Sequence, residues 1–429
     1  MKKYLWTSLL FIFTSFLLWG CNEDEQNQEK LSDEELMETV QKQTFKYFWD
    51  YGHPLAGLAR ERSNGNDDIV TTGGSGFGIM AIIVGIERGY ITREEGTKRL
   101  IQIYEFLNKS DQFHGAFPHW YDGSTGKAFS FSKKDNGGDL VETAFLVQGI
   151  ITSRNYFNQN NEEEKELRKL ATSLWEGVDW DWYRNGTENL YWHWSPNYDF
   201  QMNMPLYGFN ETQIVYLLAA ASPTHQIDPS IYKSCWENGT DRYQLSLEKD
   251  SAKPLFWAHY SYIGLDPKFK DGNSEKSYFQ LMKERTLENR LWCINQKDKY
   301  PNYGEKEWGL TASDDPFRGY MAHEPTTNLD NGTISPTAAL SSIVYTPKES
   351  LEVMRHLYET KPKLWGEYGF KDAYNLSNND WYAESYLAID QGPIITMIEN
   401  YRTGLLWKYF MMDEDIKTGI QRLNWTFEQ

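Results

Sequence analysis

Three carboxylates crowd the stretch DNGGDLVETAF, which runs from Asp135 to Phe145. Asp139 and Glu142 are three positions apart, so on a helix they share one face, while Asp135 precedes the helix. The apolar run that follows predicts a buried helix with charged residues at its start. Charge is costly to bury without compensation, so these acids are either caps of a helix N-terminus or acid/base groups of an enzyme.

Capping explains this stretch when it is taken alone. The first N–H groups of a helix have no intrahelical partner and carry partial positive charge, so Asp139 would accept from them and Glu142 would complete a capping box. A second apolar helix, YGFNETQIVYLLAAASP, also begins with a carboxylate, Glu211, beside aromatic residues. Two acids on separate buried helices are the pair that hydrolysis of a glycosidic bond requires, and an aromatic pocket would keep one of them protonated near neutrality.

Further polar and aromatic residues lie in the loops that precede the buried helices. Aromatic rings beside Asp, Asn and His suit sugars, which present an apolar C–H face and several hydroxyl groups. His119 and His193 lie between aromatic residues, and each is expected to contact sugar hydroxyls or pack in a loop. Asp390, at the start of another buried helix, is a third candidate base. The residues predicted to bind substrate are Asp135, His119, Trp120, Trp192, Trp194, Tyr207, Trp308, Trp381, Tyr382 and Asp390.

Two kinds of helix are predicted to position these residues. Charged amphipathic helices are predicted at 32–51, 93–110, 161–180 and 346–362, and nearly all-apolar helices at 73–89, 137–157, 210–222, 335–344 and 391–404. A helix that is apolar on all sides is buried, and a helix with a polar face lies outside. Their alternation predicts an inner and an outer ring of about twelve helices. The short alternating segment LYWHWSPN predicts a strand or hairpin on the rim.

The N-terminal residues are set apart from the fold. A short basic start, an apolar run and a small residue before Cys21 indicate a lipoprotein signal peptide over 1–21, with a simple cleaved signal as the alternative. The acidic, polar residues that follow predict a disordered tether over 22–33, and 34–429 are predicted to form one catalytic domain. We expect the lipid on Cys21 to be the only attachment to a bacterial membrane, on the periplasmic or cell-surface face of the outer membrane.

Charge and cysteine content narrow the class of partner. The chain has 43 basic and 61 acidic residues, a formal net charge of -18, which argues against nucleic acid because phosphates require a basic face. Cys235 and Cys293 are the cysteines beyond Cys21, and they could pair in an oxidising compartment. The chain has neither a CxxC nor an HExxH pattern, so a dedicated zinc site is not expected. We expect a monomer.

Six segments, in order, resemble the glycoamylase-like family of secreted bacterial proteins, which includes endo-β-1,2-glucanases. They are DNGGDLVETAFLVQG, GFNETQIVYLLAAASP, FWAHYSYIGLD, EWGLTASDDPFRGY, DNGTISPTAALSSIVYTP and WYAESYLAIDQGPIITMIENYRTGLLW, within residues 40–425. The resemblance implies an all-α fold, an (α/α)6 barrel with short β-hairpins and long loops on its rim. It also implies cleavage of β-1,2-glucan with inversion and no metal or other cofactor. Its essential acids fall on Asp139, Glu142 and Glu211, with Glu211 as general acid and Asp139 or Glu142 handling the attacking water, directly or through a substrate hydroxyl.

Three functions follow from these features. The first is a glycoside hydrolase acting on β-glucan, and the residues do not distinguish endo from exo action. The second is a glycan-binding lipoprotein without catalysis, which has no need of carboxylates at the start of buried helices. The third, less favoured, is a polysaccharide lyase, which needs a positive group or a metal to hold a uronate carboxylate. The net charge of -18 and the scarcity of basic residues in the aromatic loops argue against the lyase.

Overall fold

The computed structural model describes residues 30–237, 253–272, 274–326 and 328–427. The predicted signal peptide, Cys21 and most of the predicted tether therefore lie outside the described residues. The first helix begins at Asp33 and is capped by Ser32, whose side chain accepts from the Glu35 N–H while the Glu35 carboxylate bonds back to the cap. Because this capping box is closed, the last residues of the predicted tether belong to the folded domain.

Helices dominate the described part of the chain. They are α1 (Asp33–Trp49), α2 (Thr72–Glu87), α3 (Arg93–Lys109), α4 (Leu140–Tyr156), α5 (Glu162–Glu176), α6 (Gln213–Ala221), α7 (Pro229–Tyr232), α8 (Phe256–His259), α9 (Tyr278–Asn295), α10 (Pro336–Leu340), α11 (Pro347–Thr360), α12 (Ala388–Thr403), α13 (Leu405–Met411) and α14 (Glu414–Arg422). Each predicted helix is present, although α4 begins later than predicted because Gly138 and Asp139 form a strand. Within the described ranges, no helix is both long and apolar enough to cross a membrane.

The strands are short and pair locally. They are β1 (Ile69–Thr71), β2 (Trp120–Asp122), β3 (Ala128–Phe129), β4 (Gly138–Asp139), β5 (His193–Trp194), β6 (Phe269–Lys270), β7 (Ala312–Asp315), β8 (Gly319–Ala322), β9 (Trp365–Gly366), β10 (Gly369–Phe370), β11 (Tyr374–Asn375), β12 (Trp381–Tyr382) and β13 (Thr426–Phe427). β1, β2 and β3 form one antiparallel sheet, and β7 pairs with β8. The strand predicted in LYWHWSPN is confirmed as β5, whose pairing with β4 sets His193 opposite Asp139.

The buried helical elements close into an inner ring. α2 packs against α4 and α12, α4 packs against α6, and α6 packs against the 3-10 helix Tyr260–Tyr262 that continues α8. α8 and α12 both contact the 3-10 helix Ser341–Val344 that continues α10, which closes the ring. The outer helices α1, α3, α5, α9, α11 and α14 pack against this ring. The predicted double ring is confirmed, and α14 covers α6 from the C-terminal end of the described chain.

The two remaining cysteines lie apart from each other in this fold. Cys235 and Cys293 are both buried and both free. The Cys235 thiol is 3.2 Å from the carbonyl oxygen of Glu188, whereas Cys293 lies on α9. The disulfide that the sequence left open is therefore not formed.

The close approach of α2 and α4 depends on two glycines. A Cβ on Gly149 would lie 2.3 Å from the carbonyl oxygen of Gly76, and a Cβ on Gly76 would lie 2.2 Å from the carbonyl oxygen of Phe145. A close-packed interior has no room for these extra atoms. This contact therefore sets the separation of two helices that carry Gly73 and Glu142 at the same end of the ring.

Gly149→Ala is expected to lower the free energy of unfolding by about 1–3 kcal/mol, because the added methyl group forces the two inner helices apart. Urea denaturation of the purified variant measures the effect. Gly304→Ala is the matched control, since a Cβ at Gly304 meets nothing within 4 Å. Equal stability of the two variants would contradict the packing argument.

Candidate active site

A cavity of about 610 Å³ lies at the end of the inner ring where α4 and α6 begin. Its wall contains the acids Glu61, Asp135, Glu142 and Glu211. Its aromatic lining is formed by Trp120, Phe131, Phe145, Trp192, Phe256, Tyr260 and Tyr320. Aromatic faces with a few convergent polar groups are the usual composition of a small-molecule or sugar site.

Asp139 caps α4 and is not among the residues that line the cavity. Its Oδ1 accepts hydrogen bonds from the N–H groups of Val141 and Glu142, both at 3.0 Å. Its Oδ2 accepts from His119 Nδ1 at 3.0 Å, and His193 Nε2 lies 3.5 Å from the same oxygen. Asp139 therefore caps α4, and both oxygens of this fully buried carboxylate are engaged.

Asp135 joins Asp139 in a network of alternating carboxylates and imidazoles. Asp135 Oδ2 is 3.3 Å from His193 Nε2 and 3.7 Å from His119 Nδ1. Burial lowers the pKa of both histidines, but the charge of Glu142 and the bond to Asp139 outweigh it and raise the pKa of His119 to about 9. Bonds to Asp135 and Asp139 likewise raise the pKa of His193 to about 9. Both imidazoles are therefore cations at neutral pH.

These two cations determine the state of Asp139. Burial alone would raise the pKa of Asp139, but contacts with His119 and His193 hold it well below its ordinary value. Ligand atoms of His119, Asp135 and Asp139 lie within 4.8 Å of one another, close enough to surround a metal ion. The raised pKa values of the two imidazoles and the lowered pKa of Asp139 describe this cluster as a network of ion pairs.

Glu142 lines the cavity from the first turn of α4. Its Oε2 accepts a hydrogen bond of 2.7 Å from the Gly73 N–H of α2. It does not close a capping box, because the Asp139 N–H donates to the carbonyl oxygen of Phe117. Burial raises the pKa of Glu142 to about 7, with His119 opposing the rise and Asp139 reinforcing it. A carboxyl group with this pKa can take up or release a proton near neutrality.

Glu211 lines the cavity from the turn that precedes α6. The Ser261 hydroxyl donates to the Glu211 carbonyl oxygen and accepts from the Ile214 N–H, which ties this turn to the inner ring. The buried Oε2 of Glu211 has no hydrogen-bond partner among the described residues. Burial raises the pKa of Glu211 to about 7, and the charges of Asp139 and Glu142 add to the rise. Such a group suits proton donation to a ligand.

A second group of acids lies at the start of α12. Asp372 Oδ2 accepts from the Asp314 N–H at 2.6 Å, and Arg62 donates to Asp314 Oδ1 at 3.0 Å. Burial and repulsion from Asp314 raise the pKa of Asp372 to about 7, while burial and repulsion from Asp372 raise the pKa of Asp390 well above its ordinary value. Asp390 is buried and does not line the cavity. The third candidate base predicted from the sequence therefore does not face a ligand bound in this cavity.

The predicted substrate-binding residues divide into two groups. The cavity is lined by Asp135, His119, Trp120 and Trp192. It is not lined by Trp194, Tyr207, Trp308, Trp381, Tyr382 or Asp390. Trp308 is a fully buried core residue, and Trp194 packs against Phe113 and His114. Adjacent residues of a strand point to opposite faces, so the His193 side chain points into the cavity and the Trp194 side chain points away from it.

Several cavity residues were not predicted from the sequence. Glu61 and Arg62 come from the segment between α1 and β1, Met204 follows β5, and Tyr320 lies on β8. Arg62 is 2.9 Å from Glu61 and 3.0 Å from Asp314, so its charge is already paired and does not favour a lyase. In the sequence, only the adjacent opposite charges of Glu61 and Arg62 in a polar loop indicated a functional role for any of these residues.

The chain is similar to proteins of known structure over most of its length. The Glycoamylase family model, described as "Putative glucoamylase", matches residues 203–414. A Bacteroides fragilis structure with the same description is 51% identical with a TM-score of 0.89, and the match covers 94% of this chain and 99% of that one. An endo-β-1,2-glucanase from Chitinophaga pinensis, solved with sophorotriose and glucose, is 49% identical with a TM-score of 0.88, covering 92% and 99%.

A longer curated relative was also found. The exo β-1,2-glucooligosaccharide sophorohydrolase (non-reducing end) of Parabacteroides distasonis is 45% identical over 423 residues, which cover 92% of this chain. The chain spans 58% of the length of that relative.

The fold is an (α/α)6 barrel, and carboxyl groups with raised pKa values lie at one end of its inner ring. This combination is typical of the glycoside hydrolase class. The chain belongs to the glycoamylase-like family, because relatives about half identical to it are covered almost from end to end. The predicted family and fold class are confirmed.

Stability is expected to decrease as the pH rises from 6.5 towards 9. The pKa values of His119 and His193 are about 9 in the fold against an ordinary 6.5, so their protonation stabilises the folded state fully below pH 6.5 and is lost as the pH rises through 9. Thermal unfolding midpoints between about pH 6 and about pH 10 measure the loss. His193→Gln should show a smaller decrease than the wild type, and His225→Gln should follow the wild type. A pH dependence unchanged in His193→Gln would contradict this account.

Proposed function

We propose that this chain is a glycoside hydrolase that cleaves β-1,2-glucan by an inverting acid/base mechanism. One observation carries the proposal: Glu142 and Glu211 reach the same aromatic-lined cavity from two inner helices, and burial raises the pKa of each to about 7. The relatives named for action on β-1,2-glucan and its oligosaccharides support the choice of substrate. The aromatic rings of the cavity would face the apolar C–H surfaces of the glucose units.

Glu211 is assigned the role of general acid. Its protonated form would donate to the glycosidic oxygen as the bond from that oxygen to the anomeric carbon breaks, leaving Glu211 as a carboxylate. The buried and unpartnered Oε2 supports this role, because no other described group competes for it. The raised pKa of about 7 supports it as well, because the proton is retained until near neutrality.

Glu142 is assigned the role of base. As a carboxylate it would remove a proton, directly or through a substrate hydroxyl, from the water that attacks the anomeric carbon on the opposite face. Asp139 is a positioning residue in this proposal, since its oxygens are bound to two backbone N–H groups and to His119, and it does not line the cavity. It fixes the start of α4 and the imidazoles that face Glu142.

Glu211→Gln is expected to lower kcat on linear β-1,2-glucan by about 10²- to 10⁴-fold, because the amide cannot protonate the leaving oxygen. Release of reducing sugar and thin-layer chromatography of the products measure the loss. An aryl β-sophoroside with a good leaving group should lose much less activity, because its departure needs little protonation. Glu305→Gln, an exposed position outside the cavity, should match the wild type.

Full activity of Glu211→Gln on the glucan would remove Glu211 from the role of acid. A wild-type protein that is retained on an affinity gel containing β-1,2-glucan, yet releases no sugar, would instead favour a glycan-binding lipoprotein without catalysis. The product profile also separates exo release of sophorose from endo cleavage into mixed oligosaccharides.

We further propose that a lipid on Cys21 holds the protein on a bacterial membrane, with the barrel on the periplasmic or cell-surface face of the outer membrane. The basic start, the apolar run and the small residue before Cys21 support the anchor. Cys21→Ser, expressed with its signal, should move the protein from the detergent phase to the aqueous phase in cloud-point partitioning, because the acyl chains are its only attachment. Cys235→Ser is the control, and equal partitioning of both variants would argue against the anchor.

A further inference from the structure

Arg285 on α9 is a buried cation outside the cluster of acids and histidines. It is 2% exposed, and removing a guanidinium from water costs several kcal/mol unless other groups compensate. Its Nε and Nη1 atoms have no hydrogen-bond partner among the described residues. Buried donors in native proteins are rarely left unpaired. Interactions other than hydrogen bonds at Nε and Nη1 must therefore compensate for the burial of Arg285.

Aromatic rings and carboxylates provide that compensation. The guanidinium carbon lies 4.4 Å from the centre of the Phe209 ring and 5.5 Å from that of Trp257, and a desolvated cation is attracted to the electron-rich face of an aromatic ring. Burial lowers the pKa of Arg285 to about 10, so it remains charged at neutral pH.

Phe209 links Arg285 to the proposed acid. Phe209 is two residues before Glu211, in the turn that precedes α6, and it is buried. The opposite side of this turn is held by the Ser261 hydroxyl, which donates to the Glu211 carbonyl oxygen. The turn that carries the acid is therefore held between the inner ring and the guanidinium of an outer helix.

The positive charge of Arg285 also affects the ionisation of Glu211. Asp139 and Glu142 of the α4 N-terminus disfavour the carboxylate form of Glu211, whereas Arg285 favours that form. Tyr260 after α8 is neutral, because burial, with a contribution from Glu211, raises the pKa of its hydroxyl well above the ordinary value. The groups that act on Arg285 in turn are Tyr262, Glu288, Glu211 and Glu324. Among these carboxylates, Glu211 lines the cavity, whereas Glu288 and Glu324 do not.

We propose that Arg285 is a positioning residue for the general acid: it holds the Glu211 turn through Phe209, and its charge stabilises the carboxylate that Glu211 becomes after donating its proton. The inference rests on the proposed function for its catalytic meaning. In the bond-breaking step the proton moves from Glu211 to the glycosidic oxygen, which takes the electrons of its bond to the anomeric carbon. Negative charge therefore develops on Glu211, and the fixed positive charge of Arg285 favours that carboxylate form, which lowers the barrier.

Arg285→Met tests the proposal, because it keeps much of the buried volume and removes the charge. We expect kcat/KM on linear β-1,2-glucan to decrease about 100-fold and the basic limb of its pH profile to move to higher pH, since Glu211 then keeps its proton longer. Arg285→Lys should restore the wild-type position of the basic limb. Arg290→Met, on the same helix, should leave rate and profile unchanged. A basic limb that does not move in Arg285→Met would overturn the proposal.

Two further measurements separate this proposal from its alternatives. Phe209→Leu removes the ring but leaves the charge, so it should lower kcat without moving the basic limb, and it stands in for Arg285→Met should that variant fail to fold. Infrared titration follows the carboxylic acid band that is absent in Glu211→Gln and needs no substrate. If the wild type hydrolyses no glucan, the proposed function fails, yet a band that titrates at higher pH in Arg285→Met still supports the effect of the charge. An unchanged titration would contradict it.

Discussion

The burial of charge at the start of the inner helices is the constraint on which this structure depends. The barrel brings Asp135, Asp139, Glu142 and Glu211 to one end of its inner ring, and burial in general disfavours the charged form of a carboxylate. The chain meets this penalty in different ways. Two imidazoles and two helix N–H groups engage the oxygens of Asp139, whereas the buried Oε2 of Glu211 has no hydrogen-bond partner among the described residues.

The acids differ in how many hydrogen-bond donors compensate for their burial, and this difference separates their roles. Asp139 receives enough donors to hold its pKa well below the ordinary range, and a carboxylate with both oxygens engaged serves as a fixed charge. Glu142 receives one N–H and Glu211 receives no side-chain donor in the described structure, so burial raises the pKa of both to about 7. The surroundings therefore leave Asp139 as a fixed charge, while Glu142 and Glu211 can each exchange a proton near neutrality, as acid/base catalysis requires.

The ring determines how these groups meet. Gly76 and Gly149 let α2 and α4 approach closely enough for the Gly73 N–H to reach Glu142, although the two are far apart in the chain. The pairing of β4 with β5 likewise places His193 opposite Asp139. Two glycines and one pair of two-residue strands therefore determine the geometry of the site as much as its charged residues do.

The sequence by itself determined the alternation of amphipathic and apolar helices, and with it the double ring, because burial follows from which faces of a helix are apolar. It also singled out Asp139, Glu142 and Glu211 as candidates, because two separate apolar helices both begin with carboxylates among aromatic loops. Only the tertiary structure decided that Trp192 lines the cavity while Trp194 and Trp308 do not, that Asp390 lies below its surface, and that Arg62 and Tyr320 join it. Those outcomes depend on contacts between segments that are far apart in the chain, and a local pattern of residue types does not contain such contacts.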